Sequence, residues 1–580
     1  MLETVKEHTE PSKAPGFRVQ RVLFINPPSV SAEDFRVDFA EAARYWSYPP
    51  AGCAVLAAAV KRVGYEAQIL DLNLVLLRTH NYKWIRLKAL ATIEDFAPDL
   101  ICISVMFTMQ HRIALDIAKR CKEWGYRVMM GGVHVTNAIE DVMRDAGDSV
   151  DYFGLYESER SLPVFLDYLN GKRGYDEVGQ VIVNTPLPRY VTFSKRLTPE
   201  ADDIPEPDYC GLALAEYEKV GQVGTYRFLR GRDRPAASAL SNRGCRAKCT
   251  FCSVRYFNGP GVRKLDVEAV IAEIRHLYER DVRHITWLDD DLLFDSARAM
   301  RLFDGIANLK LDLTWDASNG LIAAAITEPL LDAMVASGCV GFNLGIESGS
   351  PEILRKVKKP GTVEKYLQCA ELLKKHPQLF VKAFLILAVP GETLKQVKQT
   401  VDLCLKMGLD WHAIQLYQPL KSTELYRNMA DQGFGEDGMS TDGRAFTAGV
   451  FSSLNQRTRE ERERTSAATF FDALSSDDLG RIPDKSELPD LWFLCDYKTN
   501  YEPIFGMDPG PKLDNKEKML VDVCDRVTKD NPLGNYFLAV IADKKGDATE
   551  RTQRMCMAMA YLNSSAYWQR RFEVLGIELG

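Results

Sequence analysis

Two series of short apolar runs, each alternating with helical stretches, organise most of this chain. The first begins with Arg21-Val-Leu-Phe-Ile25 and continues through Gln68–Leu72, Leu100–Val105, Arg127–Met130 and Val150–Phe153. Helical patterns fill the intervals, as at Gly52–Val63, Arg112–Trp124 and Asn137–Asp145. Repeated βα units of this length specify a parallel sheet with helices on both faces. Ligands of such sheets bind at the carboxyl ends of the strands, where the strand order reverses. The second series comprises Ala237–Leu240, Ile285–Leu288, Asp312–Trp315, Gly341–Gly345, Val381–Leu387 and Ala413–Tyr417. Six such units fit a partial or full (β/α) barrel, whose active site lies at the strand C-termini.

The rhythm fails in two places. Residues 171–235 are rich in Pro and Asp and read as a linker, and beyond residue 430 only scattered helical stretches remain (Arg457–Leu474, Lys516–Lys529, Thr549–Leu562). A chain of 580 residues exceeds what one core organises. The expected fold class is therefore α/β: a Rossmann-like domain at 18–170, a (β/α)6 partial barrel at 236–430, and a smaller, mostly helical C-terminal domain at 431–580. Residues 1–17 are polar, carry prolines and lack an apolar core segment, so they read as a flexible tail and not a signal peptide.

Composition excludes several classes. With 46% hydrophobic and 26% charged residues the chain is not a disordered one. A net charge of −7 gives no footprint for nucleic acid, and the basic run Lys356-Val-Lys-Lys359 reads as a solvated helix end. No apolar run approaches the length of a membrane span, so a cytoplasmic protein is expected. Of 13 cysteines, ten stand alone in mostly apolar surroundings and read as small buried hydrophobes.

The other three do not. In Arg243-Gly-Cys-Arg-Ala-Lys-Cys-Thr-Phe-Cys-Ser253, Cys245, Cys249 and Cys252 fall at intervals of four and three, directly after the first barrel strand. Thiolates on a loop at a barrel mouth can converge on one metal centre, with Arg243, Arg246 and Lys248 keeping them deprotonated. Zinc would ask for a fourth ligand, and no second CxxC or HxxxH lies nearby. A thioredoxin-like pair leaves the third cysteine unexplained.

CxxxCxxC with an aromatic residue before its last cysteine, after the first strand of a partial barrel, resembles the radical S-adenosylmethionine (radical SAM) superfamily. The resemblance implies that Cys245, Cys249 and Cys252 hold a [4Fe–4S] cluster whose fourth iron is left open for SAM. Reductive cleavage of SAM there yields a 5′-deoxyadenosyl radical. Phe251 matches the aromatic lying against the adenine. Leu288-Asp-Asp-Asp291 takes the place of the turn that receives the methionine amino group, putting Asp290 and Asp291 at SAM, although Gly-Gly-Glu is the common form. "GIESGSPEILRKVKKPGT", from Gly345, resembles the fourth-strand segment, with Glu347 and Ser348 facing ribose and carboxylate. "LILAVPGET" resembles the fifth-strand motif, bringing in Pro390 and Gly391, with Ala388 where a glycine is usual. Gln415 and Tyr417, on the sixth strand, complete the implied SAM contacts.

The first domain is similar to the cobalamin-binding domain of one branch of that superfamily, the class B methyltransferases. Ser104-Val-Met106 fits the family's SxL slot, Thr108 follows it, and Gly131-Gly132-Val133-His134 follows as the glycine pair. "VDYFGLYESERSL" places Gly154 and Glu157 at the next strand end. Two glycines there let the backbone approach a bulky ligand closely. "SYPPAG" departs from the family's DxHxxG: aligned on Gly52, it puts Ser47 at the Asp position and Pro49 at the His position. If cobalamin binds, its lower face has no histidine ligand; alternatively the domain keeps the fold as a scaffold without the cofactor.

The resemblance implies a cobalamin-dependent radical SAM methyltransferase acting on an unactivated carbon of a small molecule. It also implies an electron donor such as flavodoxin or ferredoxin, and no nucleic-acid partner. The alternative is an enzyme of the same architecture that rearranges, cyclises or oxidises its substrate, with or without cobalamin. A non-enzymatic sensor would carry a DNA- or partner-binding module, and no helix-turn-helix or basic helix is evident. The aromatics Trp492, Phe493, Tyr497, Tyr501 and Phe505 are candidates for a substrate wall or for the core of the last domain.

Overall fold

The computed structural model describes residues 18–184, 196–230, 234–431, 474, 477–484, 487–527 and 531–578. The expected N-terminal tail, the Pro186–Pro188 part of the linker and the helical stretch at 457–473 lie outside the described residues.

The first unit is a six-stranded sheet of β1 (Arg21–Asn26), β2 (Glu66–Asp71), β3 (Leu100–Ser104), β4 (Arg127–Gly131), β5 (Tyr152–Gly154) and β6 (Val181–Val183), in the order β2-β1-β3-β4-β5-β6. All neighbours are parallel except β6, which runs antiparallel to β5. Val22 to Ile25 of β1 and Leu100 to Ile103 of β3 are buried on both faces, which is why these strands read as unbroken apolar runs and not as alternations. The order reverses between β1 and β3, so the expected ligand crevice opens there. The edge strand β6 lies inside the segment read as linker; three residues are too few to show a period.

The second unit is a six-stranded, wholly parallel sheet of β7 (Ala236–Ala239), β10 (His284–Trp287), β11 (Thr314–Leu321), β12 (Cys339–Glu347), β13 (Phe380–Leu387) and β14 (Trp411–Leu416). All six expected strands form, in sequence order, and the sheet ends at β7 and β14 without pairing the two, as in a partial barrel. Between β7 and β10 a separate antiparallel hairpin forms from β8 (Asn242–Cys245) and β9 (Gly261–Lys264). Strand β11 runs six residues past its expected end. The polar run Asp316-Ala-Ser-Asn-Gly320 hid that extension, and its register against β12 shifts between Ala317 and Leu321.

The linker is structured where described. Trp46 bridges Gln222, the Ser47 hydroxyl donates to Tyr217 O at 2.7 Å, and the Ser47 amide donates to Gln222 O at 2.9 Å. A few residues on, Tyr226 closes the N-terminal end of the barrel: its hydroxyl donates to Asn343 Oδ1 at 2.8 Å, and Lys382 Nζ stands 4.7 Å from its ring centroid. One short segment thus touches both units.

The C-terminal region is helical (Leu488–Asp496, Pro511–Val521, Pro532–Lys545, Ala548–Asn563, Ala566–Leu575). Phe493, Tyr497 and Tyr501 join Phe537 and Phe572 in one core that also takes in Tyr226, Phe380 and Trp411 at the barrel, and Trp492 Nε1 donates to Ile414 O at 3.0 Å. Trp492, Phe493, Tyr497 and Tyr501 are core and strand backing, and Phe505, 44% exposed, lies against Tyr536 and Phe537; none of the five lines the cavity described below. Among the described residues no helix is long and apolar enough to cross a membrane.

Candidate functional site

The hairpin β8–β9 presents the cysteines: Cys245 ends β8, and Cys249 and Cys252 follow in the turn that leads to the helix Val254–Asn258. All three thiols are half-buried in the wall of one cavity of about 620 Å³ at the carboxyl ends of the barrel strands, within the size range of small-molecule sites. Phe251, Asp290, Gly345, Glu347, Gln415 and Tyr417 line the same space. Four other residues expected at SAM do not. Asp291 is held by Arg246 at 2.9 Å; Ser348 is fully buried 3.1 Å from Thr400 Oγ1; Pro390 O accepts from Lys356 Nζ, and Gly391 lies beside it.

Several lining residues carried no sequence signal. Lys359 is the chief one: it belongs to the run read as a solvated helix end, yet its amine reaches back into the cavity, 2.7 Å from Glu347 Oε1. Lys358, by contrast, is exposed as expected and pairs with Glu424. Gly345 makes room for the buried lysine, because a Cβ there would stand 2.5 Å from Lys359 Nζ. Glu347 takes the left-handed backbone, φ +65, an unusual conformation for a non-glycine residue that clusters at functional sites. Arg255, Asn319 and Phe384 also line the wall.

The charges around the thiols differ from expectation. Arg243 is committed to Glu157 and Glu159, and Arg246 to Asp291. Burial pushes each of the three thiols up to about 11, and the cation that pulls Cys249 and Cys252 back down is Lys359. Asp290 accepts from Asn258 Nδ2 at 2.8 Å and from the Gly244 amide at 3.3 Å, and burial pushes its carboxyl up to about 6. The carboxylates nearest the thiols, Asp290, Asp291 and Glu347, thus all have partners within the protein. The chain offers three sulfur ligands and leaves a fourth coordination position to something else. That donor set fits a [4Fe–4S] cluster with one open iron and not closed four-ligand zinc.

In the first unit, Gly52, Ser104, Thr108, Gly131, Gly132, Val133, His134 and Gly154 gather around the strand ends, whereas Ser47 and Pro49 are buried, Ser47 in the seam with the linker. Met106, Phe107 and Met109, after β3, are 51%, 56% and 37% exposed. Such an apolar shelf suits a flat macrocycle. His134 offers it no ligand: its Nδ1 is 3.2 Å from Thr108 Oγ1 and its Nε2 is 2.9 Å from His111 Nδ1, with His111 Nε2 3.1 Å from Asp145. With Pro49 in the histidine slot, the residues fit a cobalamin lacking a protein ligand below. The role expected of Gly132 changes. Its φ is +112 and a Cβ would lie 2.5 Å from Val105 O, so the sheet's own backbone requires the glycine. The two units meet where the helix Val133–Asn137 packs on Val254–Asn258 and Lys421 pairs with Asp141 at 2.7 Å.

Residues 240–404 match the family model of the radical SAM superfamily, and residues 41–166 match that of the B12 binding domain. The chain thus carries a B12-binding domain followed by a radical SAM domain. Its cofactors are the [4Fe–4S] cluster, SAM and cobalamin. This radical SAM enzyme is 28% identical to an uncharacterised methyltransferase of Pyrococcus horikoshii, over 70% of this chain and 83% of that protein. It is 26% identical to cytidylyl-2-hydroxyethylphosphonate methyltransferase of Streptomyces wedmorensis, over 72% of this chain and 83% of that one. In fold it is similar to the radical SAM methyltransferase TsrM of Kitasatospora setae (TM-score 0.58, 18% identity, 71% of this chain and 76% of that chain). It is likewise similar to the cobalamin-dependent SAM radical enzyme OxsB (TM-score 0.58, 16% identity, 96% and 80%).

Proposed function

We propose that this radical SAM enzyme is a cobalamin-dependent methyltransferase that methylates an unactivated carbon of a small-molecule substrate, with an electron donor such as flavodoxin or ferredoxin. The observation that carries the reading is the three-thiol wall whose neighbouring carboxylates are all engaged, set in a cavity beside the strand ends of the B12-binding unit. Two relatives named as methyltransferases, each matched over 83% of its length, support it.

When bound, the cluster supplies the electron that cleaves SAM, and the corrin supplies the methyl group. The protein's own part is to hold, orient and shield. Cys245, Cys249 and Cys252 would hold the cluster. Phe251 and Tyr417 give flat apolar contact for an adenine, while Glu347, Gln415 and Asp290 offer acceptors for hydroxyl and amino groups. Lys359 holds one Glu347 oxygen at 2.7 Å inside the cavity and so fixes the direction of that carboxylate. Leu385, Ile386 and Phe384 keep the cavity apolar on the β13 side, which shields a reactive carbon from water. Met106, Phe107 and Met109 would seat the corrin. Residues 18–170 and 236–430 would form the cofactor-bearing domains, 171–235 the linker and 431–580 the closing domain.

Incubation with SAM carrying a labelled methyl group tests the reading. Label in the product together with S-adenosylhomocysteine is expected. Deoxyadenosine formation without transfer of label would favour rearrangement, cyclisation or oxidation instead.

A further inference from the structure

The loop after β5 carries two acidic side chains that reach into the barrel unit and not into their own. Glu157 Oε1 lies 2.9 Å from Arg243 Nη1, its second oxygen meets Arg263, and Glu159 meets the same Arg243. Arg243 is two residues before Cys245 on β8, and Arg263 is its cross-strand partner on β9. Two guanidiniums directly opposite on a ladder repel; here two carboxylates from the other domain neutralise them. The four side chains are 3%, 6%, 11% and 16% exposed (Glu157, Glu159, Arg243, Arg263), so water contributes little to holding them.

A second contact runs parallel to the first. Arg196 stacks 4.1 Å from the Tyr156 ring centroid and donates to Tyr256 O at 3.2 Å, and the rings of Tyr156 and Tyr256 lie 5.7 Å apart. Tyr256 belongs to the helix Val254–Asn258 that follows Cys252. Both ends of the cysteine turn are therefore fastened to the Tyr156–Glu159 loop. This contact adds to the hairpin's ties to Asp290 and Asp291 in the barrel, and it matters because a two-stranded hairpin is marginal on its own and among the described residues β8 and β9 form a sheet only with each other.

We propose that Glu157 and Glu159 are positioning residues for the metal centre. The B12-binding unit, through Arg243 and Arg263, holds the hairpin in the shape that gathers Cys245, Cys249 and Cys252. Glu157 then serves this contact and not the cobalamin, because both its oxygens are taken. The inference concerns the protein before any cofactor binds and does not depend on methyl transfer.

The test is site-resolved alkylation by iodoacetamide, followed by mass spectrometry, on the full chain free of cluster and cobalamin. The exposed Cys210 and Cys556 serve as standards, and the buried Cys369 and Cys404 report unfolding. Losing charged hydrogen bonds to the hairpin in the Glu157→Gln/Glu159→Gln variant should speed reaction of Cys245 and Cys252 by about tenfold. Cys210 and Cys556 should keep their rates while Cys369 and Cys404 stay silent. Exchanging the charges, Glu157→Arg with Arg263→Glu, should return Cys245 towards its parental rate. An unchanged Cys245 rate in a folded variant, or no recovery on exchange, overturns the proposal. Should the double variant unfold, Glu159→Gln alone, which keeps Glu157 in place, is judged by the same Cys245 rate.

Discussion

Lys359 Nζ sits 2.7 Å from Glu347 Oε1, with both side chains about nine-tenths buried in the wall that holds Cys249. A buried ion pair is most sensitive to losing one member. Lys359→Met strands the Glu347 carboxylate and should cost about 3 kcal/mol, seen as a lowered thermal midpoint. The double variant Lys359→Met/Glu347→Gln should recover most of that loss. A double variant no more stable than the single would show that the pair is not what the lysine supports.

Replacing Cys245, Cys249 and Cys252 by Ala, singly or together, should remove the brown cluster absorbance and SAM cleavage while far-UV circular dichroism stays at the parental value. The thiols are half-buried at the end of β8 and in the turn after it, outside both six-stranded sheets, so their loss opens no core cavity. Retained SAM cleavage in the triple variant would contradict their assignment as ligands.

Ala388, at the end of β13, takes a left-handed backbone with φ +60. The sequence comparison with the fifth-strand motif expects glycine there, and a Cβ in this region costs about 1–2 kcal/mol. Glycine adds freedom to the unfolded chain worth roughly 0.4–1 kcal/mol in the opposite sense. Ala388→Gly should therefore raise the melting temperature by about 2 °C, and Ala388→Val should lower it. A lower midpoint for the glycine variant would mean that the methyl group packs better than it strains.

Eleven of the fourteen strands were readable because their runs are apolar enough to show themselves; β6 and the polar hairpin strands β8 and β9 were not. The cluster loop was readable because three thiols in a polar stretch have no packing explanation. Lys359 was not: a lysine in a basic run looks solvated until the fold turns it inward, where Gly345 and Glu347 receive it. Arg243 misled for the same reason. Its charge was visible next to the cysteines, but its partners, Glu157 and Glu159, come from a strand end more than eighty residues earlier. Ser348 was read from a motif as a ligand contact, and only the packing against Thr400 reveals its hydroxyl facing the helix behind it.

Two buried groups give the stability opposite pH slopes. Burial, and then His111, depresses His134 to about 4. The unfolded imidazole protonates first, so His134's contribution is complete above about pH 6.5 and is lost as pH falls towards 4. Burial raises Glu392 to about 8, and its Oε1 has no partner. Its contribution is complete below the unfolded value near 4.5 and fades as pH rises through 8. Thermal midpoints measured across this range should show Glu392→Gln gaining on the parent as pH rises from about 5 to 8, and His134→Gln losing less than the parent as pH falls from about 6 to 4. Parallel profiles for parent and variants would rule out these two groups as the source.

The segment Tyr217–Tyr226 fastens to Ser47 and Trp46 on one side and, through Tyr226 and Asn343, to the barrel floor on the other. It works as a fixed axle. The loop in front of the crevice between β1 and β3 and the foot of the barrel share one piece of chain, so a displacement of either unit is carried to the other through the same ten residues.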